Sequence, residues 1–303
     1  MTERFRVGTR KSALARVQTD GVLARLERAS PGSRFEVVPV DTSGDRDRSI
    51  GGSPDFTDTI DRALLHGEVD LAVHSAKDLP VELDRRFALL AVPPRANPRD
   101  CLVVGRGRDA RSLPHGARAG SSSLRRRAQL LRWRRDLTVV EVRGNVDTRL
   151  RLVASGEVDA IVLAVAGITR LGRAAEIDRV LPTTSFLPAP AQGALAVVAR
   201  SGDSDLASAV RRIDHRASRL CVTAERRFAA ALGGDCRVPL GALATVRGGT
   251  ISLTGEVLAP DGRLSLRRRR VGPARDAETL GAQLGRDLLA RGASDLISSA
   301  GRR

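Results

Sequence analysis

At four places in the 303-residue sequence, arginine stands next to glycine or a hydroxyl residue where an apolar run ends. They are Gly8-Thr9-Arg10-Lys11-Ser12, Gly120 to Ser123 with Arg125 and Arg126, Arg143-Gly144-Asn145 with Arg149, and Arg170 after the run Ala160 to Leu163. Free N–H groups and the dipole at a helix start favour anions, and a guanidinium grips a carboxylate with two bonds at once. The chemistry this predicts is capture of a small molecule bearing several carboxylates, in a cleft between two lobes, each charge-assisted bond contributing roughly 1.5–3 kcal/mol. Asp78, beside Lys77, has the opposite sign. It is placed either to stabilise a developing cation or pass a proton, or to act as a helix cap or ion-pair partner of Lys77. His74 belongs to no Ser-His-Asp or Cys-His pattern and reads as packed core. Cys236 lies in a Gly-rich loop near cationic residues, a setting that favours thiolate, whereas Cys101 and Cys221 sit in apolar runs.

Side chains so spaced need strands that stop and helices that start at fixed positions. Phe5 to Val7 reads as a strand, followed by a helix with Leu14, Val17, Gly21 and Ala24 at helical spacing. Phe35 to Val40 is a second strand, Asp41 to Asp55 an aperiodic loop, and Phe56, Ile60, Ala63 and Leu64 mark a helix before the short strand Leu71 to His74. Strands alternating with helices predict parallel α/β sheets. The pattern then repeats, since Gly67-Glu-Val-Asp70 recurs 89 residues later as Gly156-Glu-Val-Asp159 before another apolar strand. Two similar lobes follow, separated at Pro93-Pro94 and Pro98, with a second crossing at Pro182, Pro188 and Pro190. The expected domains are 1–93 with 194–213, then 99–187, then an α+β domain over 216–303. That last domain should hold a helix from Ala217 to Leu232, antiparallel strands Leu240 to Thr245, Thr250 to Leu258 and Arg263 to Val271, and a final helix from Asp276 to Arg291.

The formal charge is +16, but aromatic residues make up only 2%. Single-stranded nucleic-acid channels and base-reading sheets need aromatic platforms, so the charge points to smaller anions. Only Lys11 and Lys77 among the 51 basic residues are lysines, so part of that charge is a compositional bias toward arginine on a solvated surface. The first residues lack the apolar core of a signal peptide, and the longest apolar stretch, Ala160 to Ile168, is about half a membrane span. A cytoplasmic protein is expected. Three cysteines without a close pair indicate neither a disulfide framework nor a zinc site.

Seven collinear segments resemble the porphobilinogen deaminase, or hydroxymethylbilane synthase, family over almost the whole chain. They are Gly8 to Ser12, Ala72-Val-His-Ser-Ala-Lys-Asp78-Leu-Pro80, Gly120 to Arg126, Arg143 to Arg149, Leu163 to Gly172, Gln192-Gly-Ala194 and Cys236-Arg-Val-Pro239. The resemblance implies an α/β fold of two doubly wound lobes like type II periplasmic binding proteins, joined by a double-crossover hinge, plus a smaller α+β domain. It implies a dipyrromethane cofactor covalently attached to Cys236 by a thioether. It implies a transferase that joins four porphobilinogen molecules head to tail into hydroxymethylbilane in tetrapyrrole biosynthesis, with ammonia lost at each addition. By the same resemblance Asp78 is the catalytic carboxylate, and Cys236, Lys77, Ser123, Arg125, Arg126 and Arg143 hold the cofactor together with Asp78. Arg10, Ser12, Arg149, Arg170, Phe56 and Gln192 contact substrate. The resemblance implies no metal, nucleic acid or membrane partner, and a monomer.

Two segments depart from the family pattern. The stretch between Thr42 and Phe56 is shorter than the usual lid and reads Gly51-Gly52-Ser53-Pro54 where the family carries Gly-Gly-Lys-Gly, leaving Arg46 or Arg48 to substitute. Gly234-Asp235 replaces a Gly-Gly before Cys236, and Arg237 replaces a common Gln. Rival readings are a divergent relative with impaired activity and a non-catalytic polycarboxylate binder, which would need no reactive thiol. A nucleic-acid binder is supported by Arg267 to Arg270 and opposed by the scarcity of aromatic residues.

Overall fold

The computed structural model describes residues 3–40, 58–105, 107, 113–234 and 238–300. The chain divides into two compact units, Met1–Ala96 with Ala194–Arg219, and Asn97–Gly193 with Leu220–Arg303. The first unit opens with β1 (Glu3–Arg10), α1 (Ala13–Ala29), β2 (Ser33–Val40), α2 (Asp58–Leu65), β3 (Leu71–Ser75) and β4 (Phe87–Ala91). The second contains β5 (Asp100–Val104), β6 (Arg118–Gly120), α3 (Leu124–Trp133), β7 (Thr138–Val140), α4 (Val146–Ala154), β8 (Ala160–Ala164), α5 (Val165–Arg170) and β9 (Arg179–Val180). The chain then returns to the first unit as β10 (Leu195–Arg200) and α6 (Ser204–Arg211).

The two five-stranded sheets have orders β2-β1-β3-β10-β4 and β7-β6-β8-β5-β9. Each is mixed, whereas the strand–helix alternation had predicted parallel sheets. β10 runs antiparallel to β3 and β4, and β5 antiparallel to β8 and β9. The reversed strand is in both cases the first one laid down after the chain has crossed over, so it enters its sheet from the opposite end. Two doubly wound lobes with a double crossover are therefore present.

The repeated tetrapeptide occupies the same place in both sheets, before central strands β3 and β8, and it acts as a staple. Gly67 and Gly156 end the preceding helices with φ of 69° and 77°, a left-handed conformation that favours glycine. Val69 and Val158 are buried. Asp70 then accepts the Arg6 N–H of β1 at 2.8 Å, and Asp159 accepts the Arg118 N–H of β6 at 2.7 Å. Each carboxylate thus pairs a backbone donor just where a parallel pair of strands begins.

β8 shows how the second sheet is buried on both faces. Ala160 and Val162 pack with Leu130, Leu137 and Phe186, whereas Ile161 and Leu163 pack with Leu150, Val153 and Ile168. Near-continuous apolar runs are what such strands require. Cys101 on β5 belongs to the second of these clusters and is fully buried.

The C-terminal domain begins within α7 (Arg216–Ala231), followed by β11 (Leu240–Arg247), β12 (Thr250–Leu258), β13 (Ser265–Pro273), α8 (Ala277–Leu289) and α9 (Ala293–Ala300). Its three strands form an antiparallel meander. Phe228, Leu253 and Leu284 are at the centre of its core, which also takes in Cys221. The helix expected from Asp276 to Arg291 is present as α8, and Gly292, whose φ is 89°, separates it from α9, which the sequence reading had not expected.

Candidate active site

In the first unit, β1 ends at Arg10 and α1 starts after Ser12, whose hydroxyl caps the helix by accepting the Ala15 N–H at 3.3 Å. β3 leads into a single 3-10 turn, Ala76–Asp78. Asp78 closes that turn with its side chain exposed, Lys77 beside it is half-buried, and Asp78 makes no ion pair with another described residue. His74 is 6% exposed, and burial, aided by the Arg10 charge, pushes its imidazole down to about 4. Its Nε2 has no hydrogen-bond partner among the described residues. A neutral, packed histidine matches the core reading.

In the second unit, Ser123 caps α3 by accepting the Arg126 N–H at 3.5 Å, and Asn145 caps α4 by accepting the Thr148 N–H at 2.9 Å. The first turn of α3 then turns inward. Arg125 and Arg126 converge on Asp100, the fully buried first residue of β5, through bonds of 2.8 Å from Arg125 Nη1 and 2.7 Å from Arg126 Nη2. Burial alone would raise the Asp100 carboxyl, but the two guanidinium groups hold it well below the usual carboxylate range. Arg125 also donates to Gln129 Oε1 at 3.0 Å and to the Leu187 carbonyl at 2.7 Å, so its charge is matched inside the protein. Gln192 donates to Asp100 Oδ1 at 2.9 Å and accepts from Arg126 Nη2 at 3.4 Å.

The remaining arginines differ. Arg149 donates from Nε to the Gly144 carbonyl at 2.9 Å and from Nη2 to the Ser122 hydroxyl at 3.3 Å. Burial and then the nearby Arg126 charge push it down to about 10. Arg170 donates to the Gly193 carbonyl at 2.9 Å and is lowered by burial. Among the described residues neither has a carboxylate partner. Arg143 is exposed and donates to Glu141 at 2.9 Å. Cys236 and Phe56 lie outside the described residues, as do Arg46, Arg48, Asp235 and Arg237.

Arg149 and Arg170 offer half-buried donors whose partners are neutral carbonyls and a hydroxyl, and Arg126 stands beside them already paired with Asp100, a set suited to a ligand with several carboxylates such as dipyrromethane. Sequence reasoning missed Asp100 and the part that Gln129 plays beside it. A charged residue opening the run Cys101-Leu-Val-Val104 was the available signal for Asp100, because a carboxylate there must be paired. The run Arg267 to Arg270 is largely engaged internally. Arg267 donates to the Thr183 and Thr184 carbonyls, Arg269 to Ser252, and Arg270 to Asp287 and Gln283. No helix among the described residues is long and apolar enough to cross a membrane.

Residues 5–208 match the family model for the porphobilinogen deaminase dipyrromethane cofactor binding domain, and residues 219–290 match that for the porphobilinogen deaminase C-terminal domain. The chain is 45% identical to the porphobilinogen deaminase of Pelotomaculum thermopropionicum over 99% of its own length and 98% of that protein. It is 46% identical to that of Roseiflexus castenholzii over 98% of its length and 100% of the relative. The periplasmic VFT2 domain of Bordetella pertussis BvgS is a much looser match, with a TM-score of 0.43 and 18% identity over 69% of this chain and 86% of that one. On the two family models and the full-length relatives, the chain belongs to the porphobilinogen deaminase family.

Proposed function

We propose that the protein joins four porphobilinogen molecules head to tail into hydroxymethylbilane, releasing ammonia at each addition, on a dipyrromethane primer held by a thioether to Cys236. The observation that supports this most is Arg149, a half-buried guanidinium that donates to the Gly144 carbonyl and the Ser122 hydroxyl and is matched by no carboxylate among the described residues. A half-buried cation without a counter-charge is stabilised by a bound carboxylate. Arg126, Arg149 and Arg170, with Ser123 and Gln192, would bind acetate and propionate groups of cofactor and substrate. Arg143 joins them from its resting contact with Glu141, and Arg125, matched by Asp100, supports the array. Within the first unit, Arg10, Ser12 and Lys77 are proposed to bind carboxylates of substrate or cofactor. Phe56 would contribute apolar contact.

When bound, dipyrromethane supplies a fixed pyrrole whose free α-carbon is the nucleophile for chain growth. Asp78 is the group proposed to stabilise positive charge on the reacting substrate as ammonia departs, and to carry a proton. A non-catalytic polycarboxylate binder would gain nothing from an exposed carboxylate at that strand end. The protein is proposed to act as a cytoplasmic monomer, since a small, polar substrate calls for neither a membrane nor a macromolecular partner. Light scattering on the purified protein checks the monomer.

Intact-protein mass spectrometry under denaturing conditions tests the chemistry. The expected result is a covalent excess of two pyrrole units, absent in Cys236→Ser and kept in Cys101→Ser and Cys221→Ser. An adduct that survives in Cys236→Ser overturns the anchor.

A further inference from the structure

We propose that two buried carboxylates of the C-terminal domain, Glu225 and Glu256, are positioning residues that set the orientation of the Asp100, Arg126 and Gln192 array. The proposal rests on the assignment of Arg126 and Gln192 to carboxylate binding. It begins from Ala191, the one non-glycine residue at positive φ among those described, at 60°. An alanine takes up this backbone conformation only where its surroundings hold it there. Glu225, on α7 and fully buried, does so. Its Oε2 accepts the Ala191 N–H at 2.6 Å while its Oε1 accepts the Ala244 N–H of β11 at 2.7 Å.

The turn so held is the last part of a strap, residues 187–192, that connects the C-terminal domain to Asp100. At its far end the Ala242 N–H donates to the Pro188 carbonyl at 2.9 Å. β11 lies so close here that a Cβ on Gly241 would stand 2.9 Å from the Leu187 oxygen. The same Leu187 oxygen accepts from Arg125 at 2.7 Å and from Gln129 at 3.0 Å. Gln192, next to Ala191, donates to the Pro98 carbonyl at 2.7 Å and to Asp100 at 2.9 Å. Both ends of the strap therefore touch the arginine array.

Glu256 grips the array from a second direction. It is 1% exposed on β12, and Arg132 Nη1 donates to its Oε1 at 2.5 Å while Nη2 donates to the Ser185 carbonyl at 2.7 Å. Arg132 lies about two helical turns beyond Arg125 on the same face of α3. The C-terminal domain thus holds the helix that presents the arginines as well as the strap beneath them. A carboxylate is needed at 225 because it accepts from two N–H groups on two elements. Glutamine there would turn a donor toward one of them and leave it unsatisfied.

The test is steady-state kinetics on cofactor-loaded enzyme, with amide hydrogen exchange read over residues 186–194. Glu225→Gln is expected to raise KM for porphobilinogen on the order of tenfold, with a smaller fall in kcat and faster exchange in the strap. Glu225→Gln with Gln192→Ala should be no worse than Gln192→Ala alone, because both act through one contact. Ile251→Val, a mild destabilisation of the same domain's core, should leave KM unchanged. Multiplying effects in the double variant, or strap exchange in Glu225→Gln equal to that of the parent, overturns the proposal. An unchanged KM in Gln192→Ala overturns the carboxylate-binding assignment of Gln192 instead, and faster strap exchange would still support positioning. Should Glu225→Gln not fold, Glu256→Gln is read by KM and by amide exchange over α3, residues 124–133, and a KM and α3 exchange equal to those of the parent overturn the proposal.

Discussion

His74 and Asp78 stand four residues apart at the end of β3, one sealed and one open, and this separates their expected roles. Asp78→Asn should leave fold and cofactor mass unchanged yet lower turnover by orders of magnitude, because a neutral amide cannot offset a developing cation. Porphobilinogen consumption measures this, and near-normal turnover would leave Asp78 a surface residue. His74 is neutral in the folded protein down to about pH 4, against 6.5 for an ordinary imidazole. Between those values the unfolded chain binds the extra proton, so stability falls as pH drops through this window. The full loss is about 3 kcal/mol. Thermal melts of the parent should therefore decline between pH 6.5 and 4, and His74→Leu should flatten that decline. The buried Asp100, whose carboxyl is held low by Arg125 and Arg126, acts in a separate and more acid range. Its contribution is present above the ordinary carboxylate pKa and is lost as pH falls below it.

At the level of elements, the Gly-Glu-Val-Asp staple supports each parallel pair of strands. Asp70→Ala and Asp159→Ala should each cost about 1–3 kcal/mol in urea unfolding, since each leaves a strand N–H unpaired. A loss near zero in both would make the repeat incidental. The repeat was legible in the sequence because it is local, as were the three helix starts at Ser12, Ser123 and Asn145, where a hydroxyl or amide caps a periodic run. The charge of Asp100 at the head of an apolar run showed that it needs partners but not which ones, because Arg125, Arg126 and Gln192 lie 25, 26 and 92 positions away. The antiparallel strands β5 and β10 were also hidden. Composition and periodicity report which face a strand buries but not its direction. Within the arginine set, Arg126→Leu should impair cofactor loading or early chain growth, measured by mass and by product release. Arg269→Leu, which removes an exposed contact to Ser252, should be silent. Equal damage from both would mean that overall charge, rather than placement, governs binding.

Across the whole molecule, neither compact unit is continuous in sequence. The first needs Met1–Ala96 and Ala194–Arg219 together, because β10 fills the gap between β3 and β4. A fragment of residues 1–96 should show no cooperative unfolding, whereas the same residues joined by a short flexible linker to 194–219 should. Circular dichroism melts distinguish the two, and a cooperative transition in the short fragment would show β10 to be dispensable.

That discontinuity also governs how the protein is made. On the ribosome, about 100 further residues must be synthesised after β4 before β10 emerges, an interval of roughly 5–20 s. Throughout it the nascent chain carries β3, apolar on both faces, with one edge open to any passing strand. The hazard belongs to synthesis and disappears once β10 is in place. Folding helpers that shield open strand edges are therefore needed while the protein is being translated, and the finished protein can be stored without them.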